Sequence, residues 1–84
     1  MATVIMYSTA YCPYCRLARE LLEKKGVEYT DIRIDEDPSK REEMIQKSGR
    51  RTVPQIFINS QHIGGCDDMY ALDHQGRLDE LLRK

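Results

Sequence analysis

No stretch of this sequence approaches the ~20 apolar residues that a membrane-spanning helix needs. Neither sign of charge predominates, since 13 Lys and Arg stand against 14 Asp and Glu, for a net charge of −1. That balance removes any general electrostatic reason to bind nucleic acid or an anionic lipid surface. The segment Met1–Tyr7 has no basic residue and only a short apolar stretch, unlike a secretory leader. Cysteine is scarce. Three residues are an odd number, and too few for the disulfide framework of a small secreted domain. These absences favour a reducing, cytoplasmic setting, with no membrane and no nucleic acid as partner. No repeat, low-complexity segment or linker interrupts the chain.

What is present fits one domain spanning 1–84. A chain of 84 residues is too short for two domains and buries only roughly 60% of its unfolded surface, so its core must be used efficiently. With 40% hydrophobic and 32% charged residues, the composition is that of a globular rather than a disordered chain.

The pattern resolves into short elements. Thr3–Tyr7 is a nearly continuous apolar run, as expected of a central strand covered on both faces. Tyr14, Leu17, Ala18, Leu21 and Leu22 recur with the spacing of one helical face. Pro13 suits the first helical position, Lys24 and Lys25 suit the helix end, and Gly26 suits the residue after it. Val27 to Asp35 reads as a second strand, although its alternation breaks near Asp31. Asp37-Pro38 is an N-cap followed by a first-turn proline, opening a helix to about Ser48 that Gly49 closes. Gln55–Ile58 reads as a strand, Asn59-Ser60 as a tight turn and Gln61–Ile63 as its returning partner, ended by Gly64-Gly65. Leu72, Leu78, Leu81 and Leu82 belong to one or two closing helices. The order β-α-β-α-β-β-α predicts an α/β fold. A right-handed parallel crossover is followed by a hairpin, giving a mixed sheet of about four strands flanked by helices.

Chemistry concentrates where the first strand meets the first helix. Cys12 falls at the N-cap, where free backbone N–H groups and the positive helix end favour thiolate, the nucleophilic form. Cys15, one turn on, is expected to be more buried and able to reach back to Cys12. A structural zinc half-site is the alternative. However, no second C-x-x-C exists, and His62 and His74 lack ligand-like spacing with any cysteine. A C-x-x-C after a strand in a βαβ pattern points to thiol–disulfide redox chemistry, and no metal is expected.

Three motifs occur together along essentially the whole chain: Cys12-Pro13-Tyr14-Cys15, Thr52-Val53-Pro54 and Gly64-Gly65-Cys66-Asp67-Asp68. On these residues the sequence resembles the glutaredoxins, in particular the small dithiol bacterial type. The resemblance implies the thioredoxin fold, with a central mixed four-stranded sheet. It also implies glutathione as co-substrate, with Cys12 as nucleophile and Cys15 as resolving thiol. Tyr14, Thr52 and Pro54, the last with a cis peptide bond, would line the site. Val53 would offer its backbone to the cysteine part of glutathione, a small case of strand addition. Gly65 permits close approach. The N–H groups of Cys66 and Asp67 suit the γ-glutamyl carboxylate, and the Asp67 carboxylate suits its ammonium. Asp68 either does the same or caps the helix. The Cys66 thiol is either incidental or open to oxidation.

The sequence departs from the family pattern at one point. A lysine often stands three residues before the nucleophile, and here that residue is Thr9. Arg41, at a family position that meets the glycine carboxylate of glutathione, is the substitute, with Arg51 as a further candidate. The implied partners are glutathione and glutathionylated or disulfide-containing proteins such as ribonucleotide reductase, met by a monomer. Two rival readings remain. One is a redoxin reduced directly by thioredoxin reductase. The other is an iron–sulfur carrier bridging two subunits through Cys12 and glutathione, against which Pro13 argues within the family.

Overall fold

The computed structural model describes residues 2–83. Met1, the first residue of the N-terminal segment, and Lys84 lie outside the described residues. The elements run β1 (Val4–Ser8), α1 (Pro13–Lys24), β2 (Thr30–Arg33), α2 (Pro38–Ser48), β3 (Gln55–Ile58), β4 (Gln61–Gly64), α3 (Cys66–His74) and α4 (Leu78–Leu82). Among the described residues the strands form one sheet in the order β2-β1-β3-β4. The β1–β2 pair is parallel, as a crossover through α1 requires, and β3 runs antiparallel to both β1 and β4. This is the mixed four-stranded sheet expected from the element order, in the arrangement that the resemblance implies. Among the described residues no helix is long and apolar enough to cross a membrane.

The apolar run of β1 is explained by cover on both sides. Successive strand residues point to opposite faces. Val4 and Met6 join Ala18, Leu22, Ile56, Ile58, Met69 and Leu78 in one core beneath α1, α3 and α4. Tyr7 joins Ile34, Met44 and Phe57 in a second core beneath α2, with Ile5 packed against it. Tyr7 also ties β1 to α2, its hydroxyl donating to Glu43 Oε2 at 2.6 Å. The hairpin turn at Asn59-Ser60 takes the left-handed conformation at both residues, φ 51° and 69°, which matches the twist of the strands it joins.

The structure corrects two expectations. The second strand is Thr30–Arg33, not Val27–Asp35. It pairs only where β1 offers a partner, from Ile5 opposite Thr30 to Ser8 opposite Arg33. Val27 instead donates its N–H to Leu22 O at 3.3 Å and closes off α1. The face of α1 is also turned from the expected one. Cys15, Ala18, Leu21 and Leu22 are buried, whereas Tyr14 and Leu17 are 58% and 41% exposed. The sheet accepts the stripe through Cys15, Ala18 and Leu22, which leaves Tyr14 at the rim. The chain closes with two helices, separated at Gly76, which takes φ 74°. Lys25 fastens them to the end of α1, its Nζ reaching Asp73 at 2.6 Å and Asp79 at 3.0 Å.

Candidate active site

Cys12 is the N-cap of α1 and Pro13 its first residue. The Cys15 N–H, one of the free first-turn donors, points at Cys12 Sγ at 3.3 Å. The Cys12 thiol donates towards Val53 O at 3.7 Å. The sulfur is therefore held between the helix start and the loop before β3. Cys12 is partly accessible, Cys15 and Cys66 are buried, and all three are free thiols. Burial, reinforced by the hydrogen bond with Cys12, pushes the Cys15 thiol up to about 12, against the opposing pull of the Thr9 N–H and the Arg19 charge. The two cysteines thus differ in kind, one presented to solvent and one held protonated beneath it. Burial and the Asp67 charge also raise the Cys66 thiol.

Beside Cys12 lies a groove of about 200 Å³. Thr52, Val53 and Pro54 form one wall and Gly65, Cys66 and Asp67 the other, with Tyr14 at the rim. The Val53–Pro54 peptide is cis. Gly65 faces Pro54 across the groove floor, where an added Cβ would lie 3.3 Å from Pro54 O. The wall at Gly65 is the N-terminus of α3, so the first-turn N–H groups open towards the groove.

Two further lining residues, Arg50 and Gln55, escape sequence reasoning. Gln55 is fully buried. Its Nε2 donates to Thr52 O at 3.0 Å, and its Oε1 faces His62 Nε2 at 2.7 Å. It thereby braces the Thr52 turn from below. Arg50 Nη1 donates to Asp68 Oδ2 at 3.0 Å, linking the two walls. The same Asp68 oxygen accepts from the Gly65 N–H at 2.9 Å, completing the helix cap. A Cβ at Gly64, which takes φ 120°, would overlap the Asp68 carboxyl. Three other expected residues are not brought into the groove. Arg41 is exposed on α2, Arg51 is exposed beside Arg50, and Thr9 lies in the β1–α1 loop.

The Asp68 cap gives a measurable stability effect. Its carboxyl is held below the ordinary carboxylate range, first by the Gly65 N–H and then by Arg50. The Arg50 ion pair is half exposed, with side chains 49% and 47% accessible, so the cap outweighs the pair. Asp68→Ala is expected to cost about 1 kcal/mol at neutral pH. A lowered folded-state value makes this contribution fully present above the unfolded carboxylate value and lost as pH falls through the folded one. Urea unfolding of both proteins during stepwise acidification should therefore show the difference closing. A difference that persists in acid would place the effect outside the carboxylate.

Among the described residues, no cluster of three or more His, Cys, Asp or Glu side chains is arranged to hold a metal ion.

Comparison with known proteins follows this geometry closely. The family model described as glutaredoxin matches residues 4–63. Glutaredoxin 3 of Escherichia coli strain K12 is 59% identical over 83 residues, covering 99% of this chain and 100% of the relative. The solution structure of glutaredoxin from Brucella melitensis superposes with a TM-score of 0.86 at 52% identity, covering 98% of this chain and 89% of the other. The crystal structure of a buckwheat glutaredoxin–glutathione complex gives a TM-score of 0.91 at 32% identity, covering 98% and 77%.

Proposed function

Since the chain belongs to the glutaredoxin family, we propose that the groove beside Cys12 seats glutathione and that two kinds of disulfide are reduced there. The activity is glutathione-dependent dithiol oxidoreduction through Cys12 and Cys15. The observation that carries the binding reading is the approach of Cys12 Sγ to 3.7 Å from the carbonyl of Val53, a residue of the groove whose far wall is a helix N-terminus.

Glutathione fits this groove by ordinary complementarity. The Val53 backbone pairs with its cysteinyl residue in the manner of an added strand. The N–H groups of Cys66 and Asp67 take the γ-glutamyl carboxylate. Asp67 takes the neighbouring ammonium, because the Asp68 carboxylate is already engaged by Gly65 and Arg50. Arg50 adds positive charge to the wall, while Arg41 and Arg51 are left to meet the glycine carboxylate where it emerges.

With a glutathionylated protein, the Cys12 thiolate attacks the glutathione sulfur and the protein thiolate leaves. A second glutathione thiolate then attacks the glutathionyl sulfur, releasing glutathione disulfide and restoring Cys12. With a protein disulfide, Cys12 forms a mixed disulfide with the protein, and Cys15 displaces the protein thiol by closing the Cys12–Cys15 disulfide. Two glutathiones reopen that disulfide. The direction of each exchange follows the relative potentials. The setting is a reducing cytoplasm and the working form a monomer.

A coupled assay distinguishes this from direct reduction by thioredoxin reductase. Glutathione with its reductase should sustain turnover of a glutathione mixed disulfide, and thioredoxin reductase alone should not. The reverse pattern would overturn the reading.

A further inference from the structure

Ser8, at the end of β1, is fully buried, yet the groove makes no use of it. Its hydroxyl donates to Asp31 Oδ1 and accepts from Arg19 Nη2 at 2.9 Å. Arg19 Nε donates in turn to Asp31 Oδ2 at 2.7 Å. Side chains from β1, α1 and β2 thus close a ring, with Arg19 and Asp31 only 23% and 27% accessible. This ring gives Asp31 its place on β2, where the alternation of the strand breaks.

Behind the ring lies the site. The same Nη2 of Arg19 reaches Thr9 O at 3.5 Å. Arg19 follows Cys15 by one helical turn, so the two side chains are neighbours on α1. With Asp31 holding Nε and Ser8 holding Nη2, the guanidinium cannot swing into solvent. The Thr9 C=O faces Arg19, and the Thr9 backbone favours the ionised form of the Cys15 thiol.

We infer that Arg19, locked by Ser8 and Asp31, is a positioning residue for the resolving thiol. It fixes the Thr9 peptide against Cys15 and supplies the positive charge that Cys15 needs when it becomes anionic. This inference rests on the dithiol reading above.

Cys15 passes through the thiolate in both directions. In resolution its proton goes to water and its electron pair forms the bond to Cys12 Sγ. The bond from Cys12 to the substrate sulfur breaks, and the departing substrate thiolate takes a proton from water. In reduction a glutathione thiolate attacks Cys12 Sγ and Cys15 leaves as the thiolate. Burial opposes that anion strongly. The ionisable groups acting on it are Cys12, which raises its proton affinity, and Arg19, which lowers it, with Asp31 behind Arg19. Transfer of glutathione through Cys12 alone never ionises Cys15, so the two activities should separate.

The test compares Arg19→Met and Arg19→Gln, which both remove the charge, with Arg19→Lys, which keeps it. The Gln variant also keeps a hydrogen-bond donor, which guards against loss of the fold. The ratio of protein-disulfide reduction to deglutathionylation should fall about fivefold in the two neutral variants, equivalent to about 1 kcal/mol. Lysine should restore most of it. In a Cys12→Ser background, alkylation of Cys15 by iodoacetamide should move to higher pH in the neutral variants and return with lysine, a readout that needs no glutathione turnover. Parallel loss of both activities, or an unmoved alkylation profile, would overturn the inference. Failure of wild-type turnover with glutathione would count against the functional reading instead.

Discussion

Cys12→Ser is expected to abolish exchange with both substrate classes, by at least about 10³-fold, as removal of a catalytic nucleophile does. The argument turns on what serine keeps. Cys12 caps α1, and its sulfur accepts from the Cys15 N–H. Serine is a preferred N-cap residue and meets the same donor with a better acceptor. The variant should therefore fold at least as stably as the wild type. What it lacks is a sulfur able to attack and then leave a disulfide, since a serine hydroxyl is a weak nucleophile at its own pKa. Parallel measurement of turnover and urea unfolding separates the two effects. Residual activity within tenfold of wild type would move the nucleophile elsewhere, with Cys66 the remaining thiol on the groove wall.

Most of the architecture was legible because its punctuation is local. Pro13, Asp37-Pro38, Gly49 and Asn59-Ser60 each act within a few residues, and each ends or begins an element as expected. The failures are non-local. The length of β2 is set by β1, more than twenty positions earlier, and nothing in Val27–Tyr29 announces the missing partner. The exposure of Tyr14 and Leu17 depends on how α1 rolls on the sheet, which periodicity alone does not choose between neighbouring stripes. Arg50 and Arg51 are adjacent arginines. Only the former meets Asp68, 18 residues away, so the side chain that closes the groove has no local signature. The site was legible to the extent that it is carried by motifs, namely the Cys12–Cys15 pair, Thr52-Val53-Pro54 and the glycine turn. Its supports, Gln55 beneath Thr52 and Arg19 behind Cys15, emerged only when the strands were placed together.

Cys15→Ser should split the two activities that Cys12→Ser removes together. Deglutathionylation is expected to persist within about threefold of wild type, because each of its two attacks is made by Cys12 or by an incoming glutathione. Reduction of protein disulfides should fall by about 10²-fold or more, because its second attack is made by a thiol already in place. Intramolecular attack by a well-oriented group corresponds to effective molarities up to about 10⁵–10⁸ M, which free glutathione at cellular concentrations does not approach. Burial works against this advantage, since a thiol pushed up to about 12 is rarely ionised at neutral pH. Proximity must therefore outweigh a small thiolate fraction, and it does so because the attacking sulfur already sits beside Cys12 with almost no freedom to lose. Steady-state rates on a glutathione mixed disulfide and on a protein disulfide, measured with the same preparation, give the ratio directly. An equal fall in both would mean that Cys15 takes part in every cycle, and the monothiol route through Cys12 and glutathione would have to be abandoned. Accumulation of a covalent Cys12–protein adduct, visible by mass under non-reducing conditions, is the positive sign that the lost step is resolution.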